Sequence, residues 1–259
     1  MSGTVSIERE DEIAFVTLAN PGKLNAISVT MWQSLAGAFE RLSADRSLRC
    51  VVLRGADGNF AAGADIAEFP QVRGDFDSVR AYHLSTLAPA LRAIAQCVHP
   101  TVAAIEGVCV GGGLEIACQC DLRIAAEGSR FGVPINKLGF PMAPDELRGL
   151  LALAGRAATL EILLEGRVFD AQEALAKGLL TRVVAAADLP AQALATARRI
   201  VAGAPLAARI NKLTIRRLTP EPEPLSEEEL RAHFSYADSA DHQEGVSAFL
   251  ARRPPRFKG

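Results

Sequence analysis

The chain has 259 residues, of which 28 are basic and 30 are acidic, and 49% of its residues are hydrophobic. This size and composition predict a globular protein with a substantial core. Because the formal net charge is only -2 and no long block of like charge occurs, the sequence argues against nucleic acid or a membrane surface as the main partner.

Strand-like apolar runs alternate with helical patterns through the first two thirds of the chain. The predicted strands cover residues 13–18, 50–53, 101–105, 122–125 and 181–184. The predicted helices between them cover residues 29–43, 79–96 and 114–118. This alternation predicts a layered α/β architecture, and periodicity alone does not distinguish its possible forms.

Helical patterns without intervening strands follow Ala186. They cover residues 189–202, 206–218, 227–235 and 244–252. The repeated prolines of residues 219–224 predict an extended break between two of these helices, because proline lacks an N–H group and restricts the residue before it. We therefore divide the chain into a core, residues 1–188, and a helical C-terminal region, residues 189–259.

Cysteine usage and the N-terminus indicate the compartment. The five cysteines are odd in number, and four of them lie in apolar runs, as expected for reduced structural thiols. Neither the Cys118-Gln119-Cys120 spacing nor the four histidines match a metal site, so no metal is predicted. The first nine residues do not have the pattern of a signal peptide, and no apolar run is long enough for a membrane span. We expect a cytoplasmic protein.

Two loops rich in glycine and alanine each follow a predicted strand. The first is FAAGADI at residues 60–66, and the second is GVCVGGGLE at residues 107–115. Small residues let backbone segments approach closely, so the two loops could expose N–H groups side by side. Two converging N–H donors form an oxyanion hole, which stabilises the charge that develops on a carbonyl oxygen. A helix starting after Gly113 would add a favourable dipole.

These loops resemble the paired signature of the crotonase superfamily, the enoyl-CoA hydratase/isomerase proteins. Four more motifs stand in that family's order: NPGKLNA at 20–26, FGVP at 131–134, DAQEAL at 170–175 followed by Gly178-Leu179, and EGVSAF at 244–249. The resemblance implies a spiral of ββα repeats with a C-terminal helical region that packs at a trimer interface, and two trimers often form a hexamer. It also implies a CoA thioester substrate and no permanently bound cofactor.

The resemblance also assigns roles to individual residues. The backbone N–H groups of Ala64 and Gly112 would hold the thioester oxygen, and Glu115 would move the proton. The apolar neighbours of Glu115 predict a partly buried acid, which suits a general acid/base. Further substrate contacts are expected at Lys23, Leu24, Ala26, Ala62, Asp65, Ile66, Val110, Gly111, Pro134, Ile135 and Leu138. The basic residues Arg252, Arg253, Arg256 and Lys258 could meet the CoA phosphates or form a solvated end.

One position departs from the hydratases of this family. They carry a second glutamate after the proline, where this chain has Ile135. Isoleucine cannot exchange a proton, so the sequence leaves the reaction within the family open. Asp145 or Glu146 could supply a carboxylate, but acidic residues directly after Pro144 are also usual at a helix start. We favour the helix start for both.

The leading hypothesis is an acyl-CoA enzyme of this family that hydrates, dehydrates or isomerises its substrate through a thioester enolate. Decarboxylation, dehalogenation and hydrolysis of acyl-CoA are alternatives, because they reuse the same oxyanion hole with other acids and bases. An acyl-CoA binding protein with little turnover is a hypothesis from another class.

Overall fold

The computed structural model describes residues 3–219 and 223–258. Residues 220–222, half of the predicted break at residues 219–224, therefore lie outside the described residues. The strands are β1 Thr4–Glu10, β2 Ile13–Ala19, β3 Cys50–Gly55, β4 Thr101–Ile105, β5 Val108–Val110, β6 Leu122–Ala126, β7 Arg130–Gly132, β8 Phe169–Asp170 and β9 Arg182–Val184. The helices are α1 Val29–Ala44, α2 Phe69–Val72, α3 Phe76–Ala81, α4 Ala88–Ala95, α5 Gly112–Gln119, α6 Pro144–Glu165, α7 Ala171–Ala176, α8 Leu189–Ala202, α9 Pro205–Leu218, α10 Glu227–Phe234 and α11 Ala240–Leu250.

The strands form two sheets. The larger sheet has six strands in the order β1-β2-β3-β4-β6-β9. The pair β1 and β2 is an antiparallel hairpin, and every later pair in this sheet is parallel. The smaller sheet has the order β5-β7-β8. Parallel neighbours need crossover connections, which α1 and α4 provide. The predicted layered α/β architecture is confirmed.

The main core lies between the large sheet and α1. Ser28 caps this helix through a hydrogen bond from the Met31 N–H, and the buried residues that follow recur at helical spacing. Trp32, Leu35 and Phe39 are fully buried there with apolar residues of β2 and β3. This packing holds α1 firmly against the sheet and brings the Trp32 ring beneath the second glycine-rich loop.

The C-terminal helices agree in part with the prediction. Helix α8 begins and ends as predicted, and its buried residues Leu189, Ala193 and Ala197 pack on the large sheet. The last helix starts at Ala240 rather than 244. The division of the chain at residue 189 stays a prediction. None of the helices in the described ranges is long and apolar enough to cross a membrane.

The predicted helix at residues 79–96 is not continuous. A π-helical segment, Tyr82–Leu87, separates α3 from α4. Pro89 follows this segment and cannot donate the backbone hydrogen bond that an α-helix requires, which explains the local change of pitch. The altered pitch leaves both Tyr82 and His83 buried.

Candidate active site

The backbone N–H of Ala64 is left free by the way its loop pairs with residue Ile27. Ala64 and Ile27 form an isolated parallel bridge. The hydrogen bonds of that bridge use the Gly63 carbonyl, which accepts from Ile27 N at 2.7 Å, and the Asp65 N–H, which donates to Ile27 O at 2.9 Å. Ala64 lies between these two groups, and its N–H donates to no described residue.

The second free N–H belongs to Gly112, the first residue of α5. The first N–H groups of a helix have no carbonyl one turn earlier to bond, and the Gly112 N–H finds no other acceptor in the described ranges. A Cβ atom built on Gly112 would lie 3.5 Å from the Ala64 nitrogen and 2.9 Å from Cζ2 of Trp32. The two loops therefore present two N–H groups close together, with no room for a side chain between them and the indole.

Glu115 lies one turn into α5 and is 5% exposed. Its Oε2 atom is buried and has no hydrogen-bond partner among the described residues. Burial raises its pKa well above the usual value, the negative charge of Glu146 raises it further, and the positive charge of Arg73 opposes both. Burial therefore favours the protonated form of Glu115, which lines the same cavity as Ala64 and Gly112.

A second carboxyl group, Glu146, enters the site from the first turn of α6. Burial by itself would raise its pKa, but the charge and hydrogen bond of His83, with the Arg73 charge, lower the pKa below the usual value. The Nδ1 atom of His83 bonds Oε1 of Glu146, and the Ala143 N–H donates to Oε2 at 3.4 Å. These partners favour the ionised form of Glu146, so its environment is opposite to that of Glu115.

Tyr236 links His83 to a buried arginine. The Tyr236 hydroxyl accepts a hydrogen bond of 2.9 Å from Nη2 of Arg73 and lies 3.2 Å from Nε2 of His83. A hydrogen-bonded series thus connects four parts of the fold: Arg73 after α2, Tyr236 after α10, His83 in the π-helical segment and Glu146 at the start of α6. Only Arg73 and His83 among these four residues lie near each other in the sequence.

Apart from Tyr236, these groups line one cavity of about 370 Å³. Of the predicted site residues, the cavity lining includes Ala62, Ala64, Ile66, Val110, Gly111, Gly112, Glu115, Pro134, Ile135 and Leu138. Lys23, Leu24, Ala26 and Asp65 do not line it. Lys23 instead forms a 2.6 Å ion pair with Asp65, and Asp65 also accepts from the Ala67 N–H. Their predicted contact with CoA stays a prediction.

Neighbouring acidic residues at the start of α6 have different surroundings. Asp145 lies at the surface, where it pairs with Arg92 at 3.1 Å and Arg148 at 3.2 Å. Glu146 points into the cavity. The helix-start interpretation therefore accounts for Asp145, whereas Glu146 both accepts from the Ala143 N–H and lines the site.

The C-terminal basic residues are partly engaged within the chain. Arg253 forms an ion pair of 2.6 Å with Glu244, and the Arg256 N–H donates to the same carboxylate at 2.7 Å. These contacts lower the pKa of Glu244 to about 2. Whether this basic group meets CoA phosphates stays open.

Comparison with known proteins agrees with this geometry. Residues 8–259 match the family model described as enoyl-CoA hydratase/isomerase. A probable enoyl-CoA hydratase of Mycobacterium bovis is 34% identical over 256 residues, which are 98% of this chain and 97% of that protein. The chain belongs to the enoyl-CoA hydratase/isomerase family. It is an acyl-CoA enzyme of that family, as the two loops predicted.

Solved structures confirm the predicted crotonase fold. An enoyl-CoA hydratase/carnithine racemase from Magnetospirillum magneticum has a TM-score of 0.82 and 49% identity, covering 98% of this chain and 95% of that one. A methylmalonyl-CoA decarboxylase in complex with 2-nitronate-propionyl-CoA has a TM-score of 0.88 and 30% identity, with both chains fully covered.

The sequence analysis missed Arg73, His83 and Tyr236. No local pattern marks them, since each lies in a short segment of ordinary composition and their chemistry depends on partners far along the chain. The five cysteines are free and buried. No cluster of three or more metal-ligating side chains occurs within the described ranges.

Proposed function

We propose that this protein adds water to the double bond of an enoyl-CoA thioester, or removes water in the reverse direction. The observation that carries the proposal is the contrast between two buried carboxyl groups in one cavity: Oε2 of Glu115 has no hydrogen-bond partner among the described residues, whereas Glu146 is bonded to His83 and the Ala143 N–H. Burial keeps the pKa of Glu115 high and His83 helps to keep that of Glu146 low. Pairs of carboxyl groups with divergent pKa values are suited to act as one acid and one base.

The reaction follows from these states. The ionised Glu146 takes a proton from water as the water oxygen bonds to Cβ of the substrate, and the electron pair of the double bond shifts toward the thioester oxygen. The Ala64 and Gly112 N–H groups stabilise the resulting enolate. Protonated Glu115 then gives its proton to Cα, and proton exchange with solvent restores both carboxyl groups. Glu146 thus replaces the carboxylate that Ile135 lacks.

The substrate is proposed to be a CoA thioester, with no permanently bound cofactor. Its acyl part would occupy the cavity, and the loop of Lys23, Leu24 and Ala26 would contact the nucleotide part of CoA. This placement rests on family membership and on the position of the two free N–H groups within the cavity lining.

Mass spectrometry of products from a panel of enoyl-, hydroxyacyl- and carboxyacyl-CoA thioesters tests the reaction. A gain of one water by the enoyl substrates supports hydration. An unchanged mass with a shifted double bond would indicate isomerisation, and a free acid would indicate hydrolysis. The Glu115→Gln variant should keep thioester binding and lose turnover, because an amide cannot exchange the proton. Full activity of that variant would remove Glu115 from the mechanism.

Decarboxylation is the second candidate. It is favoured by the TM-score of 0.88 with methylmalonyl-CoA decarboxylase, which exceeds the 0.82 of the hydratase/racemase structure. A decarboxylase would use the same oxyanion hole to hold the enolate that forms as carbon dioxide leaves. The same mass assay separates the two reactions, because a carboxyacyl-CoA would lose the mass of carbon dioxide instead of gaining that of water.

Self-association as a trimer or a hexamer is also proposed. Helix α9 exposes apolar side chains at helical spacing: Leu206 is 67% exposed, Ile210 is 51% exposed and Leu213 is 57% exposed. Such a stripe on one helix favours burial against another subunit. Sedimentation at micromolar concentration tests the assembly, and a stable monomer would contradict it.

A further inference from the structure

Arg73 is a buried cation whose hydrogen-bonding capacity is largely unused. It is 5% exposed, and its guanidinium carbon lies 4.2 Å from the ring centre of Phe69 and 4.1 Å from that of Phe140. Of its nitrogens, only Nη2 donates a hydrogen bond among the described residues, to Tyr236. Its Nε atom is buried without a partner. It forms no ion pair with any carboxylate in the described ranges.

The other buried arginine, Arg123, shows what a structural arginine looks like in this fold. It is 6% exposed, and its guanidinium donates to backbone carbonyls on every side, including Leu179 O at 2.9 Å and Asp121 O at 3.2 Å. A buried guanidinium normally finds such partners, because an unpaired buried charge is costly. Arg73 lacks them, which indicates that its partner comes from outside the chain.

The location of Arg73 indicates the kind of partner. It lines the same cavity as Glu115 and Glu146, and the adjoining wall is apolar, with Phe69, Leu138 and Phe140. Neither glutamate hydrogen-bonds to it: Glu146 is bonded to His83 and to the Ala143 N–H, and Oε2 of Glu115 has no partner among the described residues. A guanidinium with unpaired N–H groups in an apolar pocket matches a carboxylate, which accepts two parallel hydrogen bonds from it.

We propose that the acyl group of the substrate carries a carboxylate that Arg73 binds, so that the substrate is a CoA monothioester of an unsaturated dicarboxylic acid. This inference rests on the proposed function, because it assumes that the acyl group occupies the cavity. The carboxylate contributes to substrate binding and is retained in the product. An ion pair with Arg73 stabilises its negative charge, which opposes the movement of electrons out of a carboxylate that decarboxylation requires.

The binding test uses saturated thioesters that cannot react by hydration. Calorimetry would compare glutaryl-CoA with butyryl-CoA, which has the same CoA part and no terminal carboxylate. A charge-assisted pair predicts that the native protein binds glutaryl-CoA about 10- to 100-fold more tightly. The Arg73→Met variant should lose this preference and keep its affinity for butyryl-CoA. The matched control is Arg80→Met, since Arg80 pairs with Glu227 at the surface and should not change the preference.

The activity test compares glutaconyl-CoA, its terminal methyl ester and crotonyl-CoA as substrates. Arg73→Met should lower kcat/KM for glutaconyl-CoA about 10- to 100-fold more than for the two neutral substrates. The neutral substrates report any shared effect of Arg73 on the pKa values of Glu115 and Glu146. Arg73→Lys keeps the positive charge but lacks the paired N–H donors of the guanidinium group, so it should restore part of the lost kcat/KM for glutaconyl-CoA. Circular dichroism of each variant checks that it is folded.

The outcomes separate this inference from the proposed reaction. Equal native affinity for glutaryl-CoA and butyryl-CoA overturns the inference, even if crotonyl-CoA is hydrated. An equal loss of kcat/KM for all three substrates in a folded Arg73→Met variant also overturns the inference, since Arg73 would then have no specific role toward the substrate carboxylate. A clear glutaryl-CoA preference without hydration of any enoyl-CoA supports the carboxylate site and rejects the reaction.

Discussion

Replacing Glu146 with glutamine tests the proposed general base. The side chains of Glu146 and His83 are 4% and 2% exposed, so the substitution removes a deeply buried charge and keeps the shape and an acceptor oxygen. General-base catalysis typically contributes about 10²- to 10⁴-fold in rate, and we expect a loss of kcat in that range. Because the Glu146 charge helps to raise the pKa of Glu115, the variant should also lower that pKa.

The cost in stability should be moderate. Deleting one partner of a buried ion pair costs about 3–5 kcal/mol, but glutamine can still accept from His83, so we expect about 1–3 kcal/mol, near the value for a weakened buried hydrogen bond. Steady-state kinetics with an enoyl-CoA substrate measure kcat and KM separately. Chemical denaturation measures the free energy of unfolding of the same preparations.

Asp145→Asn provides the control, because it makes the same chemical change at the neighbouring residue. Asp145 pairs with Arg92 and Arg148 at the surface, where ion pairs contribute about 0–1 kcal/mol. The kcat of the Asp145→Asn variant should match the native kcat. If folded Glu146→Gln keeps the native kcat, Glu146 is not the base. If Asp145→Asn loses activity instead, the assignment of the two acids is reversed.

Three further predictions concern the oxyanion hole, pH and assembly. A methyl group at Gly112 would lie 2.9 Å from the Trp32 ring, so Gly112→Ala should displace the N–H donor and lower kcat by about 10²- to 10³-fold. The control variant Gly128→Ala has open space around its Cβ and should keep the native kcat. A native kcat for Gly112→Ala would remove this donor from the mechanism. The proposed catalytic acid is the protonated form of Glu115, whose pKa is raised by burial, so kcat/KM should fall as pH rises through that pKa. A kcat/KM that keeps rising with pH beyond neutrality would contradict this. Leu213→Glu places a charge on the exposed stripe of α9, so sedimentation should find smaller species than for the native chain, and an unchanged distribution would exclude this stripe from the interface.

Much of the fold could be predicted because its signals are local. The strands β2, β3, β4 and β6 are mostly apolar and largely buried, which marks them in the sequence. Helix α8 was predicted with its observed bounds. Strand β1 was missed because its side chains are largely exposed. Strands β5, β7 and β8, which have only two or three residues each, were missed, although β9 is equally short and was predicted.

The sequence by itself determined the family and the positions of the two loops proposed to form the oxyanion hole. The close approach of the two backbone segments requires glycine or alanine at those positions, and such a requirement can be read directly from the residue types in the sequence. It also indicated Glu115, because a carboxylate surrounded by apolar neighbours in the first turn of a helix can be recognised locally.

Only the tertiary structure decided which acidic residue of α6 faces the site. Consecutive residues of an α-helix point about 100° apart, so Asp145 and Glu146 are equally good at a helix start and differ only in what packs around them. His83 lies 63 residues from Glu146, and Tyr236 lies 153 residues from His83. Their pKa values and contacts depend on this long-range packing, and so does the open guanidinium of Arg73.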